Sequence, residues 1–429
     1  MTNQNTHTKV RRGVRRSLTV TVVLLSLVLG TVSATLAQGV SSARSLAMGA
    51  GAIALAKGID AARFNPANLG FSSNQLKGVE LVGAGANISN NSFTLSDYNK
   101  YTGAFLTDDD KEDILDKVSD EGLQLRADAE ATALGIALGP FAFGIAGNAI
   151  ADISLNKDLL ELVLNGNTFA DTIEITGSYS EVLAYGSAYL SYGHSVYKSD
   201  ARELAVGATV RYLRGFGVER VVELEGLAAT FATGFEGEGS MVAQTATGGY
   251  GYAIDLGAAL KLNDDYMVGA RIRNFLSSLR WNSDTEEHGF TFSFDTMTID
   301  NMDEDYVVTE DYSIAIDEFS TNLPSLLNVG VANTSGKLLW AVDWEQGFRR
   351  ETGVSSKPRI SAGVEYSPVS SLPLRAGYSL GGDRNASFSL GSGFHLAYFY
   401  MDYAFVTGTT FSGYSSKGLN FAITTGLCF

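Results

Sequence analysis

The pentapeptide at residues 377–381 is the pattern in this chain that most directly suggests catalysis. It reads Gly-Tyr-Ser-Leu-Gly and matches G-x-S-x-G, which places a nucleophilic serine on a sharp turn between a strand and a helix. No helical pattern follows Ser379, and a strand pattern resumes at Asn385. A serine hydrolase would also need a histidine beside the serine, for which His194 and His395 are the candidates. Because the turn and the helix are missing, we predict that the protein is not an enzyme.

Cofactor and metal motifs are equally weak. Residues 49–54 fit the dinucleotide-binding pattern G-x-G-x-x-A, but no strand pattern precedes them. The histidines have no metal-ligand spacing to one another, to Cys428 or to a cluster of carboxylates. Asp300, Asp303 and Asp305 lack the glycine that an EF-hand calcium loop requires. We therefore predict no cofactor and no metal site.

A balanced set of charged residues falls on the polar faces of predicted strands. A buried charge is costly unless it is paired, so equal numbers on the inner face of a closed sheet predict an internal ion-pair network, with Arg44 and Asp60 of the segment before the first strand as further partners. A water-filled channel lined by mixed charge is the alternative. Both interpretations depend on the face assignment, which a shift of one residue would reverse. The lumen-facing charges are predicted to be Arg211, Arg271, Arg273, Arg359 and Arg375 against Asp255, Asp343, Glu345, Glu365 and Asp402.

Strand patterns that alternate apolar and polar residues fill most of the chain from residue 77. The last of them alternates strictly, so that Leu419, Phe421 and Phe429 share one face. Apolar residues outside and polar residues inside are typical of transmembrane β-barrel strands. Fourteen strands are predicted, near 77–90, 122–138, 141–154, 178–197, 202–217, 245–262, 265–280, 323–334, 336–347, 357–368, 371–380, 384–394, 395–407 and 415–429.

The connections between these strands alternate between long and short. Bacterial barrels have short periplasmic turns and longer extracellular loops, so fourteen strands that start and end in the periplasm would give this order. The long loop 281–322 holds twelve Asp or Glu residues and no Lys or Arg, and loop 91–121 holds nine against three Lys. We interpret these loops as a solvated cell-surface region; divalent-cation binding is the alternative. Residues 108–117 and 157–164 are predicted as short helices over the pore mouth.

Residues 1–37 have the features of a secretory signal peptide. Basic residues from Lys9 to Arg16 precede an apolar run from Leu18 to Val32, and a small-residue cleavage site follows. A retained membrane anchor is disfavoured because the run is short and has no polar stop-transfer flank. Without the five basic residues of this segment, the net charge changes from −16 to −21, with 26 basic and 47 acidic residues. A surface of that charge excludes nucleic acid as a partner.

Residues 38–76 are rich in small residues and contain two short motifs. The motif residues are Ala43, Arg44, Met48 and Gly49, followed by Asn65, Pro66, Ala67 and Leu69. With them, the segment resembles the N-terminal segment of the FadL-like family of outer-membrane barrels, which commonly reads A-R-x-x-x-M-G-G-A, followed by N-P-A-x-L. That family includes the long-chain fatty-acid transporter and the PorV-type proteins. Ala50 departs from the second glycine of the family pattern, and residues 362–366, 374–378 and 401–405 are also similar to the family.

The resemblance implies that residues 38–76 form a plug, or hatch, inside a barrel made by residues 77–429. Fourteen strands enclose a lumen that strand side chains alone would not fill, which agrees with a plug. For residues 65–67, an ordinary turn before the first strand is the alternative. The expected plug residues are Arg44, Met48, Gly49, Asn65, Pro66 and Ala67.

The sequence thus predicts an all-β protein of the cell outer membrane: a transmembrane antiparallel β-barrel of about fourteen strands with an N-terminal plug. By resemblance, it would be a channel for passive uptake of small hydrophobic compounds; a PorV-type partner in protein secretion or surface attachment is the alternative. An apolar tunnel would favour the channel, and a sealed barrel with exposed apolar loops would favour the partner protein. Expected partners are outer-membrane lipid, a hydrophobic small molecule and the barrel-assembly machinery, which would recognise the terminal Phe429.

Overall fold

Nineteen strands are present in the part of the chain that the structure, a computed structural model, describes. That part comprises residues 41–166, 172–174, 176–200, 202–297, 308–349, 352–384, 386–408, 410 and 412–429. The predicted signal peptide therefore lies outside the described residues. The strands are β1 (Lys77–Asn90), β2 (Leu123–Leu138), β3 (Phe141–Leu155), β4 (Thr172–Glu174), β5 (Tyr179–Lys198), β6 (Glu203–Phe231), β7 (Gly234–Ala246), β8 (Gly248–Lys261), β9 (Tyr266–Ser283), β10 (Glu286–Met297), β11 (Val308–Ala315), β12 (Phe319–Thr321), β13 (Leu326–Asn333), β14 (Leu338–Gly347), β15 (Arg359–Tyr366), β16 (Leu374–Gly381), β17 (Ala386–Leu396), β18 (Phe399–Gly408) and β19 (Gly418–Cys428).

Fourteen of these strands close into one antiparallel barrel, which confirms the predicted fold class. All strands except β4, β7, β10, β11 and β12 belong to it, and β19 pairs with β1 to complete the ring. Each of the fourteen corresponds to a predicted strand with bounds within a few residues, except that β6 continues to Phe231, well past the predicted end at residue 217. Closure matters because it leaves no unpaired edge within the barrel wall, which is what a spanning sheet requires in lipid.

The barrel wall alternates between an apolar outer face and a polar inner face. In β15, Ile360 and Val364 are exposed on the outside, whereas Ser361 and Glu365 are buried. An exposed apolar belt on a closed sheet is the surface expected against lipid. Among the described residues, no helix is long and apolar enough to cross a membrane.

One end of the barrel carries the short turns and the other the long connections. Residues 139–140 and 334–337 connect strands at the short-turn end. Three helices lie at the long-loop end: α3 (Leu95–Tyr101), α4 (Asp108–Lys117) and α5 (Lys157–Asn165). Helices α1 and α2 belong to the N-terminal segment and are described below. Helices α4 and α5 coincide with the predicted helices, and α3 was not predicted.

A sheet projects from the long-loop end where the sequence predicts loops 218–244 and 281–322. The outer part of β6, from residue 218, pairs with β7; β7 pairs with β10, and β10 with β11. We call this sheet the blade. The prediction of loops was wrong here because glycine and acidic residues interrupt the apolar pattern. Outside the membrane, a strand does not need an apolar face toward lipid. The alternation of apolar and polar residues that identifies transmembrane strands therefore does not detect it.

The segment before β1 lies inside the barrel as a plug. It contains α1 (Ala43–Ala47) and α2 (Ile59–Phe64), followed by 3-10 turns at Pro66–Gly70 and Ser72–Asn74. Its apolar side chains pack on inward-facing wall residues; α1, for example, lies against Ala404 of β18. The plug contains only short helices and turns, so contacts with the barrel wall determine the course of its backbone.

The plugged lumen as the candidate functional site

Arg44 of α1 joins the plug to a chain of alternating charges on the wall. Its Nε and Nη2 donate to Oε2 and Oε1 of Glu365 at 2.9 and 3.1 Å. Arg375 donates to Oε2 of the same Glu365 at 2.6 Å and to Oδ1 of Asp402 at 2.7 Å. His395 Nε2 lies 3.0 Å from that Asp402 oxygen. Each carboxylate in this buried row therefore has a basic partner, as buried charges require.

Asp343 on β14 binds the plug backbone rather than a charged side chain. Its Oδ2 accepts the N–H groups of Ala52 and Ile53 at 2.7 and 3.0 Å. Its Oδ1 has no hydrogen-bond partner among the described residues, although Asp343 is only 3% exposed. Because any plug residue except proline could donate these bonds, the plug sequence carries no sign of this contact.

Arg63 at the end of α2 is the second charged plug anchor, and sequence reasoning missed it. Its two terminal nitrogens bind both carboxylate oxygens of Glu80 on β1, and Nη2 also donates to Thr132 Oγ1 at 2.6 Å. The side chain of Arg63 is 7% exposed, and that of Glu80 is 2% exposed. Asp60, expected to join the lumen ion-pair network, instead lies 3.2 Å from Arg63 within the plug. The sequence feature that could have indicated this contact is Glu80, an acidic residue at an inward-facing position of β1.

Asn65 holds the turn that follows α2. Its Oδ1 accepts the N–H of Ala67 at 3.2 Å, and its Nδ2 donates to the carbonyl of Ala258 on β8 at 3.1 Å. Pro66 opens the 3-10 turn, where its missing N–H is no loss. Asn65 is fully buried, and a β-carbon on Gly257 would lie 2.2 Å from its Oδ1. The Asn-Pro-Ala sequence therefore joins the plug to the wall.

Glycines of the wall let the plug backbone approach closely. A β-carbon on Gly363 would lie 2.3 Å from the carbonyl oxygen of Met48, and one on Gly377 would lie 2.2 Å from the nitrogen of Gly49. Gly49 itself has φ of 71°, a conformation that glycine adopts without strain. The glycine-rich wall strands and the Met-Gly of the plug are thus complementary in shape.

A cavity of about 270 Å³ lies between the plug and the long-loop end of the barrel. The plug contributes Ile53 and Phe64, and residues 352–355 line it from the loop after β14. Its lining includes seven basic and six acidic residues besides these apolar ones. The lining is therefore mixed, and not the continuous apolar tunnel that would favour uptake of purely hydrophobic compounds.

Three of the predicted lumen arginines line this cavity without a full set of partners. Arg211 pairs with Asp255 at 2.5 Å and donates to Asn274 Oδ1 at 2.7 Å, but its Nε has no partner. Arg271 donates to the carbonyls of plug residues 63 and 64, and its Nε is also unpartnered. The side chain of Arg273 has no hydrogen bond or ion pair to the residues that the structure describes, and it lines the cavity. The unpartnered Nε atoms of Arg211 and Arg271 are closed to solvent.

The remaining predicted lumen charges bind neutral groups. Glu345 accepts a hydrogen bond from Asn328 at 3.0 Å, and Arg359 donates to Ser379 Oγ at 2.9 Å. The predicted network of mutually paired charges is thus only partial among the described residues. Asp343 and Arg271 satisfy their charges with plug backbone instead.

The serine motif lacks the geometry of a nucleophile. Ser379 lies within strand β16, and its Oγ is 2.5 Å from Ser387 Oγ, on the neighbouring strand. A 3-10 turn, Gly382–Arg384, follows β16 in place of the helix that the motif needs. His194 is on the exposed outer face of β5, and His395 binds Asp402. Among the described ranges, no group of three or more His, Cys, Asp or Glu residues could hold a metal ion.

Comparison with known proteins supports the β-barrel fold but does not show to which family the chain belongs. Residues 66–220 match the model of a family of unknown function, DUF5723, and a search of the curated proteins finds no match. Among solved structures, the toluene transporter TodX of P. putida aligns over 90% of this chain and 97% of its own, at 13% identity and a TM-score of 0.49.

Two TodX variants described as monoaromatic hydrocarbon channels superpose somewhat better. The deltaS2S3 mutant covers 90% of this chain and 98% of its own at 15% identity with a TM-score of 0.55, and the deltaS2 mutant covers 91% and 99% at 15% with a TM-score of 0.53. At such identities the likeness shows the fold alone. The barrel thus resembles those of outer-membrane transport channels, in agreement with the FadL-like resemblance at the level of fold.

Proposed function

We propose that this protein is a plugged outer-membrane channel for the passive uptake of small, largely hydrophobic compounds. The observation that carries the proposal is the cavity between the plug and the long-loop end of a closed fourteen-strand barrel. The fold likeness to hydrocarbon channels supports the same substrate class. On this proposal the plug closes the short-turn side of the cavity, and a shift of the plug opens it.

A disulfide between plug and wall would test whether the plug must move. A β-carbon on Gly51 would lie 3.7 Å from the Cβ of Ala341 on β14, close to the ~3.8 Å typical of disulfides. The experiment uses Gly51→Cys with Ala341→Cys in a Cys428→Ser background, which removes the native thiol. Uptake of labelled toluene is measured in cells that express the protein, before and after reduction. We expect uptake to be lost when the pair is oxidised and restored by reductant.

The single-cysteine variants are the matched controls, because they carry each substitution without the cross-link. If oxidation leaves toluene uptake unchanged in the double variant, plug movement is not part of transport. If cells with the unmodified protein take up toluene no faster than cells without it, the channel proposal itself is wrong.

A second candidate function, binding a secreted partner protein as in the PorV-type alternative, is favoured by the blade. Phe290, Phe292 and Phe294 of β10 form an aromatic row, with ring centroids 6.3 and 6.2 Å apart. Every residue of the neighbouring strand β11 is exposed, and among the described strands β11 pairs only with β10. Its Glu310 and Asp311 would attract a basic extended segment, which the strand edge would bind by backbone pairing.

A synthetic peptide that alternates Lys and Val tests this candidate. If β11 binds such a segment, Glu310→Lys should weaken peptide binding, whereas Glu121→Lys, an exposed acidic position on another loop, should not. Equal binding by both variants, or none by the unmodified protein, would rule the edge out as a docking site.

A further inference from the structure

We propose that the connection between β14 and β15 is an outer gate of the lumen cavity. Its residues 352–355, which we call the strap, cross the lumen and obstruct the cavity at the long-loop end, on the side away from the plug. The inference rests on the proposed channel function and deepens it, because it gives the same cavity a second gate that a solute must pass before it reaches the plug.

The first reason is the place where the strap makes contact. The N–H of Gly353 donates to Oδ2 of Asp152 on β3 at 2.9 Å, and Thr352 Oγ1 donates to Oε2 of Glu181 on β5. Around the closed barrel, four strands separate β5 from β14, and six separate β15 from β3. The strands β3 and β5 therefore lie across the barrel from β14 and β15, and a loop that contacts them must cross the lumen.

The second reason is that the strap belongs to the cavity lining. Thr352 is only 8% exposed, Gly353 is buried, and all four strap residues line the cavity. On β5 the cavity continues to Ser187, six residues further from the long-loop end than Glu181. A solute that enters from the long-loop end therefore meets the strap before it reaches the inner part of the cavity.

The third reason is that the strap is shaped for close contact with the far wall. Gly353 has φ of 77°, a left-handed conformation that favours glycine. A β-carbon on Gly353 would lie 3.1 Å from Nη2 of Arg126 on β2 and 3.1 Å from Cγ2 of Ile150 on β3. This position therefore requires glycine both for its conformation and for its space.

The contacts across the lumen are of a kind that can open and close. Both acceptors are carboxylates, which make strong hydrogen bonds, but water can replace the strap as their donor when the strap moves away. Asp152 also accepts the hydroxyl of Tyr179 at 2.9 Å, so it keeps a protein partner after release. On the near side, Ser355 Oγ donates to Oδ1 of Asp383 at 2.7 Å and holds the base of the strap beside β16. Loops that close binding sites are drawn from such locally held segments.

Modification of a cysteine inside the cavity tests whether the strap closes it. Ser187→Cys in the Cys428→Ser background supplies the target, and intact cells that express the full-length protein are treated with a membrane-impermeant methanethiosulfonate. Gly353→Val is the releasing variant, because a β-branched residue fits neither this φ nor this space. Gly336→Val is the matched control: Gly336 has φ of 83° in the turn between β13 and β14, and an added β-carbon would have no described atom within 4 Å beyond its chain neighbours.

We expect Gly353→Val to raise both the rate of labelling and the rate of toluene uptake by about tenfold or more, with neither rate changed by Gly336→Val. Thr352→Val is a second releasing variant, in case Gly353→Val folds poorly. It keeps the shape of the side chain, removes the donor to Glu181 and should raise both rates by about tenfold.

Rapid labelling of Ser187→Cys beneath an unmodified strap would overturn the gate, as would equal rates in the two releasing variants and the control. Faster labelling with unchanged toluene uptake would also overturn it, because the strap would then cover the cavity without controlling passage. Failure of the channel proposal is a different result: the unmodified protein takes up no toluene. In that case, faster labelling in the releasing variants alone still supports the strap as the outer closure of the lumen.

Discussion

The Arg63→Met substitution gives the most direct test of what holds the plug in the barrel. Arg63 supplies the basic partner of Glu80, whose side chain is 2% exposed, and it also binds Thr132 and Asp60. Methionine keeps the unbranched apolar part of the side chain and removes the charged guanidinium group. With the plug in place, Glu80 would then be a buried carboxylate without a counter-charge. With the plug displaced, water would reach Glu80, so the substitution favours the displaced state.

The expected size of this effect follows from the burial of the pair. Removing one partner of a buried ion pair costs about 3–5 kcal/mol. At about 1.4 kcal/mol per tenfold, the ratio of seated to displaced plug should fall by roughly 10²- to 4 × 10³-fold. An exposed pair behaves differently, because surface ion pairs contribute about 0–1 kcal/mol. Lys357→Met, which breaks the exposed pair with Glu121, is therefore the matched control.

Single-channel conductance in planar bilayers and hydrogen exchange of plug amides would measure the displacement. We expect Arg63→Met to show frequent open events and faster exchange across residues 43–64, with the control unchanged. Adding Glu80→Gln should recover part of the seated population, because it removes the unpaired carboxylate. Unchanged conductance and unchanged exchange in Arg63→Met would refute the view that this pair holds the plug.

Three further predictions concern single sites. Asn65→Ala should raise uptake of a hydrophobic probe at unchanged protein level, because the loss of two buried hydrogen bonds, one of them to Ala67, costs about 1–3 kcal/mol each; unchanged uptake would count against it. Phe429→Ser should lower the amount of protein in the outer membrane on immunoblots if the assembly machinery reads the terminal aromatic residue, and normal insertion would contradict this. Hydrogen bonds from Lys117 and from Tyr101 lower the pKa of Asp113 to about 2. Since a depressed pKa gives stability above the unfolded value, the contact between α3 and α4 should persist at neutral pH and weaken below about pH 4, as seen by hydrogen exchange; Asp113→Asn should remove that pH dependence.

The barrel could be predicted from the sequence because lipid imposes a simple rule on each strand. Residues such as Ile360, Ala362 and Val364 must be apolar on one face, so the pattern repeats every two residues and identifies all fourteen strands. The blade lies outside lipid and follows no such rule. Glycines of β7 lie beneath phenylalanine rings of β10, as Gly239 does beneath Phe292, and this pairing is visible only in three dimensions.

The plug contacts could be predicted only in part. The motif residues Arg44 and Asn65 were recognisable through the family resemblance, and both do contact the wall. The contact of Arg63 with Glu80 needs the register of β1 against a segment that has no periodicity, and no sequence spacing encodes it. Asp343 binds backbone N–H groups, which every residue except proline offers. Contacts of that kind leave no trace in the plug sequence.

The polar anchoring of the plug is itself an argument for a plug that can move. A buried ion pair is close to neutral in net stability, because hydration of the separated charges nearly offsets their attraction. When water enters the lumen, Arg44 and Glu365 can each be hydrated, so displacement does not leave an unpaired buried charge. The plug also buries apolar side chains against the wall, and opening would expose that surface at about 25 cal/mol per Å². The ion pairs fix the closed position of the plug and add little to that cost, as the proposed gate requires.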